Sequence, residues 1–136
     1  MEREVDNMYV YPLTVEFEDI DSYGIIHHPK ILYYFERARV HFFLDNNVDI
    51  TNLPFGIVLR NINIQFKRQL FFLDKINIEL TAKNIDKYKF DLHYCIKKDN
   101  LTANIADIEM VSIDLATKKL APIPEKFRKI LSIIEN

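Results

Sequence analysis

Three stretches beyond residue 60 alternate apolar and polar residues one by one. They are Ile62, Ile64 and Phe66, then Ile76, Ile78, Leu80 and Ala82, then Tyr88, Phe90, Leu92, Tyr94 and Ile96. Successive side chains leave a strand on opposite faces, so a period of two produces strands with one buried and one wetted face. Between them fall Asn61, Asn63, Gln65, Asn77, Glu79, Thr81, Lys89, Asp91 and His93, which fit the wetted side. One-sided strands of this kind belong to an antiparallel sheet that needs a covering layer on a single face. The segments "NIDK" and "KKDN" between the runs carry the Asp and Asn that favour tight turns, so hairpins are expected there. A further strand is predicted from Tyr9 to Phe17, where Tyr9, Tyr11, Leu13, Val15 and Phe17 share a face. The run Leu101 to Leu115 is apolar in both registers, the pattern of a strand covered on both sides.

The covering layer is predicted from Pro29 onward, where Ile31, Phe35, Ala38 and Phe42 recur at helical spacing, ending near Asn46-Asn47. Leu32, Tyr33, Tyr34, Val40, Phe43 and Leu44 spread apolar surface around most of the circumference, so this helix is expected to be enclosed. Beyond Pro122 and Pro124, "EKFRKILSII" predicts a short C-terminal helix with Phe127, Ile130, Leu131 and Ile134 on one side. The order is one strand, a helix, four strands and a helix. That order predicts an α+β domain over residues 1–136, a five-stranded antiparallel sheet curled around one long central helix.

Composition narrows the partners. With 49% hydrophobic residues, 28% charged and a formal charge of −2, the chain has no strong attraction for nucleic acid or anionic membrane. The start "MEREVDNMYVYPL" is too acidic for a secretory signal, and no apolar run approaches the roughly 18 residues of a membrane span, so a cytoplasmic protein with no membrane insertion is expected. The single Cys95 builds neither a disulfide framework nor a thiolate cluster and is assigned to packing.

The chemistry-bearing residues gather in "FEDIDSYGIIHHPKILYYFERAR", Phe17 to Arg39. Pro29 suits the first turn of a helix, which places His28 near the cap. Gly24, one of two glycines, stands where the chain must turn sharply and take left-handed angles. Free N–H groups at a helix start carry partial positive charge, and Asp21 is the acid nearest the turn. A carboxylate beside such donors suits acyl transfer: the donors hold the carbonyl oxygen as it becomes negative, while the carboxylate attacks or deprotonates water. On spacing alone, solvated or capping acids remain the leading explanation of the same residues. His27 and His28 are adjacent and diverge, which argues against a metal site; one of them could orient substrate or water.

These residues resemble the signature of hotdog-fold acyl-CoA thioesterases of the 4-hydroxybenzoyl-CoA thioesterase type, nearest the small Tol-Pal-associated branch. The match runs through Asp19-Ile20-Asp21, Gly24, Ile25-Ile26, His27-His28 and Phe35-Glu36-Arg37-Ala38-Arg39. The resemblance implies a hotdog fold and hydrolysis of an acyl-CoA or acyl-carrier thioester without metal or redox cofactor. It implies Asp21 as nucleophile or general base, the backbone N–H of His28 as carbonyl-polarising donor, and the His28 side chain as a positioning group. Glu36 and Arg39 would be structural, near the sheet edge. Tyr23, where the family has a small residue, would narrow the acyl pocket. Tyr23, Gly24 and His27 are thus expected around the substrate. The resemblance further implies a homodimer or homotetramer with sites at the subunit boundary, lined by Asn61 and Asn63 from the partner. Lys83, Lys87 and Lys89 fall near the hairpin where the family sometimes holds the phosphates of coenzyme A, though an ordinary solvated turn is the stronger explanation for them. Two other readings share the fold: a non-catalytic acyl-binding or scaffold protein, and an acyl-carrier dehydratase. The D-x-D before the glycine favours hydrolysis.

Overall fold

The computed structural model describes residues 7–136. Its strands are β1 (Tyr9–Thr14), β2 (Gly56–Phe66), β3 (Lys75–Lys83), β4 (Lys89–Lys98) and β5 (Leu101–Ile113), and its helices are α1 (Pro29–Asp45) and α2 (Glu125–Ile133). The strands form one sheet in the order β1-β3-β4-β5-β2, every neighbouring pair antiparallel. This is the five-stranded sheet packed around a central helix that the periodicity predicts. The hairpin turns also follow the sequence: Asn84, Asp99 and Asn100 take positive φ of 53°, 53° and 63°. Asp and Asn tolerate those left-handed angles because a short polar side chain bonds locally.

Alternation divides the sheet into two unlike faces. Ile76, Ile78, Leu80 and Ala82 of β3, with Phe90, Leu92, Tyr94 and Ile96 of β4, are buried against α1. From the helix come Ile31, Tyr34, Phe35, Ala38, Phe42 and Phe43. The opposite face is polar, with Glu79 pairing Lys97 at 3.6 Å and Lys83 pairing Asp107 at 3.0 Å. On β5, Ile105, Asp107 and Glu109 face this side half-exposed. Burial in both registers is therefore limited to the two ends of β5, at Ala103 and Asn104 beside the irregularity in the β4–β5 ladder and at Met110–Ser112, with Ile113 bridging Leu120.

Two further expectations are corrected. Phe17 does not continue the first strand: β1 stops at Thr14, the chain enters a 3-10 turn over Phe17–Asp19, and the Phe17 ring is 74% exposed. The central helix is not enclosed all round, since Leu32, Tyr33 and Leu44 remain exposed. A single sheet covers only the helix face it touches, and nothing else in the described chain reaches the other.

α2 closes one end of the core. Phe127 stacks on Phe43 with ring centroids 4.6 Å apart and meets Phe55 edge-on at 5.3 Å. After it, the chain runs beside β3, where Ala82 N–H donates to Ile134 O and Asn136 N–H to Ala82 O, each at 2.8 Å. Removing a buried aromatic ring loses its transfer energy and leaves a cavity. Phe127→Ala should lower unfolding free energy by about 3–5 kcal/mol in chemical denaturation. A loss under about 1 kcal/mol would show that α2 is not part of the cooperative core.

Candidate active site

The loop between β1 and α1 is built on two acids with different fates. Asp19 is 4% exposed, and its Oδ2 accepts hydrogen bonds from the Tyr34 hydroxyl at 2.7 Å and the Glu16 N–H at 3.0 Å. Lys30 Nζ lies 3.9 Å from Oδ1, and the Asp19 carbonyl accepts the His27 N–H at 2.8 Å. Burial and the carboxylate beside it push the Tyr34 hydroxyl far above the usual phenol range, so it stays a donor. Asp19 thereby ties the loop to the helix from within.

Asp21, two residues on, is exposed. Its Oδ1 accepts the N–H groups of Tyr23 at 2.8 Å and Ile25 at 3.3 Å, while no partner among the described residues engages Oδ2. The backbone closes the same turn, with Gly24 N–H donating to Asp21 O at 3.0 Å and Asp21 N–H to Ile25 O at 2.8 Å. Gly24 takes φ +77°, as the sharp turn requires. Space around it is open, so backbone angle rather than crowding calls for glycine there.

The helix start offers one donor instead of an array. Pro29 has no N–H, and the N–H groups of Lys30 and Ile31 already donate to His27 O and His28 O at 2.8 and 3.0 Å. The His28 N–H is left without a partner among the described residues. Asp21, His27, His28 and Gln69 line a recess of about 390 Å³. Ile26, His28 and Gln69 also border a second recess of about 210 Å³, completed by Phe66, Lys67, Arg68 and Asn104. The His28 ring stacks on Phe66 at 4.6 Å, which fixes the imidazole between the two.

Other residues singled out in the sequence lie elsewhere. Tyr23 is 84% exposed at the loop tip and does not line the recess, because the turn held by Asp21 aims it outward. Asn61 and Asn63 sit opposite Glu109 and Asp107 in the β2–β5 ladder, on the polar face away from the helix. Lys83 and Lys89 are held by Asp107 and Glu109, the latter at 3.1 Å, and Lys87 lies over the Tyr88 ring. Partial burial opposes the charge on Asp107, but hydrogen bonds from His93 and Lys83 outweigh it and hold the carboxyl below the usual range. Arg39 donates to the Tyr94 hydroxyl at 3.3 Å and lies 3.7 Å from Glu36. That contact is at β4, the middle strand, rather than at a sheet edge. Phe66, Gln69 and Asn104 carried no motif, and only pairing of distant segments brings them to His28. Among the described residues no cluster of His, Cys, Asp or Glu is arranged to hold a metal ion. No described helix is long and apolar enough to cross a membrane.

Residues 15–131 match the sequence profile of the thioesterase-like superfamily. The chain belongs to that superfamily. It is 29% identical over 129 residues to the acyl-CoA thioesterase YbgC of Helicobacter pylori strain J99, covering 88% of this chain and 97% of that protein. Among solved structures, Slr0204, a 1,4-dihydroxy-2-naphthoyl-CoA thioesterase from Synechocystis, superposes with a TM-score of 0.87 at 20% identity, covering 92% of this chain and 96% of that one. SAV2348 from Staphylococcus aureus, solved in complex with CoA, gives 0.86 at 17% identity over 97% of this chain and 86% of that one. The fold is the hotdog fold, as the motif resemblance implies.

Asp19 and Asp21 are predicted to separate on mutation. Asp19→Ala strands the buried Tyr34 hydroxyl and should cost about 1–3 kcal/mol of stability in urea denaturation. Asp21→Ala loses only exposed contacts and should cost under about 1 kcal/mol.

Proposed function

We propose that the chain is an acyl-CoA thioesterase with Asp21 and the His28 N–H as its working groups. One observation carries this reading: a carboxylate with a free oxygen and a helix-start N–H with no partner line the same recess. The thioester carbonyl oxygen accepts the His28 N–H, and the positive end of α1 favours the negative charge that develops on it. In one route Asp21 Oδ2 attacks the carbonyl carbon, the C–S bond breaks to leave a mixed anhydride and the coenzyme A thiolate, and a water then hydrolyses the anhydride to the free acid while its proton goes to the thiolate. In the other, Asp21 takes a proton from the attacking water, the C–S bond breaks, and that proton passes to the departing thiolate, leaving the free acid and coenzyme A. The two N–H groups on Oδ1 hold the carboxylate still, which keeps the reacting oxygen aimed. Hydrolysis by this route needs no metal or redox cofactor. The name of the Helicobacter pylori relative and the CoA bound to the Staphylococcus aureus neighbour support a coenzyme A thioester as substrate.

The working unit in this reading is a homodimer or a pair of dimers. β2 is an edge strand of 11 residues with Val58, Leu59 and Phe66 exposed, and a long apolar edge is a template for pairing with a second chain.

Asp21→Asn should cut thiol release from acyl-CoA by about 10²- to 10⁴-fold while leaving the unfolding midpoint in place. Undiminished turnover in a homogeneous sample removes Asp21 from the chemistry. Sedimentation equilibrium should return two or four times the 16.2 kDa chain mass. A monomer at micromolar concentration would refute pairing through β2.

A further inference from the structure

An oxygen that turns negative during acyl transfer is stabilised by fixed donors aimed at one point, and the start of α1 supplies a single one. The neighbouring amides are spent. Lys30 and Ile31 bond within the first turn, the Ile26 N–H donates to Leu70 O at 2.8 Å, and the His27 N–H donates to Asp19 O at 2.8 Å. A further donor has to come from another segment of the chain, and the wall of the recess offers Gln69. It is exposed, and neither its N–H nor its carboxamide has a hydrogen-bond partner among the described residues. The rings of His27 and His28 line the same recess. A neutral imidazole, however, has one N–H that moves between two nitrogens, whereas a carboxamide keeps two at every pH.

The backbone of Gln69 is fixed on both sides. The N–H groups of Lys67 and Arg68 both donate to Ala103 O, at 2.8 and 3.0 Å, while Leu70 is fully buried and its carbonyl accepts from Ile26. Ile25 then bridges Phe71. Gln69 is thereby held between β5 and the loop that carries Asp21. The lining of the recesses decides which atom its side chain meets. Ile26, His28 and Gln69 border both recesses and so form the partition between them, whereas Asp21 borders only the larger. A thioester whose carbonyl oxygen accepts the His28 N–H has that oxygen at the partition, beside Gln69, with its carbon turned toward Asp21. The Asp21 carboxylate in the same recess attracts the NH₂ end of the carboxamide and repels the oxygen end, so the donors are presented inward. We propose that Gln69 Nε2 is the second oxyanion donor, holding the thioester carbonyl together with the His28 N–H. This rests on the thioesterase reading and adds a catalytic residue to it, leaving the bonds made and broken unchanged.

The test removes the donor at constant length with Gln69→Met and at constant shape with Gln69→Glu, and offers acetyl-, butyryl- and benzoyl-coenzyme A. On the fastest of these, each variant should lose about 10²- to 10³-fold in kcat with KM within about threefold, because the donor acts as charge develops. The Gln69→Met loss should be constant from about pH 6 to about pH 9, since a carboxamide does not titrate. The unfolding midpoint should stay in place, as the residue is exposed and unbonded. A second readout needs no turnover: benzoyl-coenzyme A labelled with carbon-13 at the carbonyl is bound to the Asp21→Asn chain and its carbonyl stretch followed by infrared difference spectroscopy. Donors on the oxygen lower that frequency, so the band should lie below that of the free thioester and rise toward it when Gln69→Met is added. A kcat indifferent to both variants overturns the proposal. So does a loss of kcat with an unmoved band, since Gln69 would then act on the water or on Asp21. Asp21-dependent turnover with neither effect leaves the hydrolase reading standing without Gln69. A band that moves with Gln69 while the parent chain cleaves none of the three thioesters keeps Gln69 as a carbonyl donor and removes the hydrolase reading. Neither binding nor cleavage of any of them overturns both.

Discussion

The Asp19 carboxylate is held out of water between the β1–α1 loop and α1, and the geometry of the site follows from it. A buried acid is costly unless its oxygens are satisfied, and here the Tyr34 hydroxyl, the Glu16 N–H and the nearby Lys30 ammonium meet that cost. Because Tyr34 is on the helix and Glu16 on the loop, neither can move without stranding the charge. The His27 N–H bond to the Asp19 carbonyl extends the same constraint to the residue before His28. Asp21 is therefore presented by a frame that is fixed at Asp19 and exposed at its tip. One acid supplies position, and its neighbour two residues on keeps an oxygen with no partner among the described residues.

The sheet and both helices were legible in the sequence because their signals are local. Alternation in β3 and β4, helical spacing from Pro29 and the turn residues at Asn84 and Asp99-Asn100 each report a backbone state within a few residues. The left-handed turn at Gly24 and the helix start at Pro29 were legible for the same reason. The exposed position of Phe17 was not, because a 3-10 turn continues the apolar spacing of a strand for two residues while rotating the side chain outward. Nor could composition tell that the apolar surface of α1 exceeds what one sheet covers, since Leu32 and Tyr33 look the same in sequence as Ile31 and Tyr34.

At the site, the legible part was the contiguous part. Asp21, Gly24, His27 and His28 fall within eight residues and announce themselves by type and spacing. The resemblance sets Asn61 and Asn63 of a partner subunit at the pocket, and within one chain the ladder register lays them beside Glu109 and Asp107 on the polar face. Lys83 and Lys89 look like free cations in sequence, and cross-strand carboxylates occupy them. Asn104 gives no sequence signal at all. It follows Ala103 in an apolar strand, and only the pairing of β2 with β5 sets it opposite Phe66 beside the recess.

The two edges of the sheet are unequal in a way that bears on the site. β1 is six residues long and contains Pro12, which cannot donate to a neighbouring strand, and beyond it the edge of β3 is taken by the C-terminal bridge from Ala82 to Glu135. That side of the sheet is closed to addition. β2 is nearly twice as long and has no proline, and it ends at Phe66 against the His28 ring. A second chain added along β2 would bury Phe66 from its outer side and so restrict the ring on which His28 rests. Any pairing along β2 would thus be coupled to the site through one aromatic contact, because among the described residues the longer sheet edge is also the one that sets the imidazole beside the helix-start N–H.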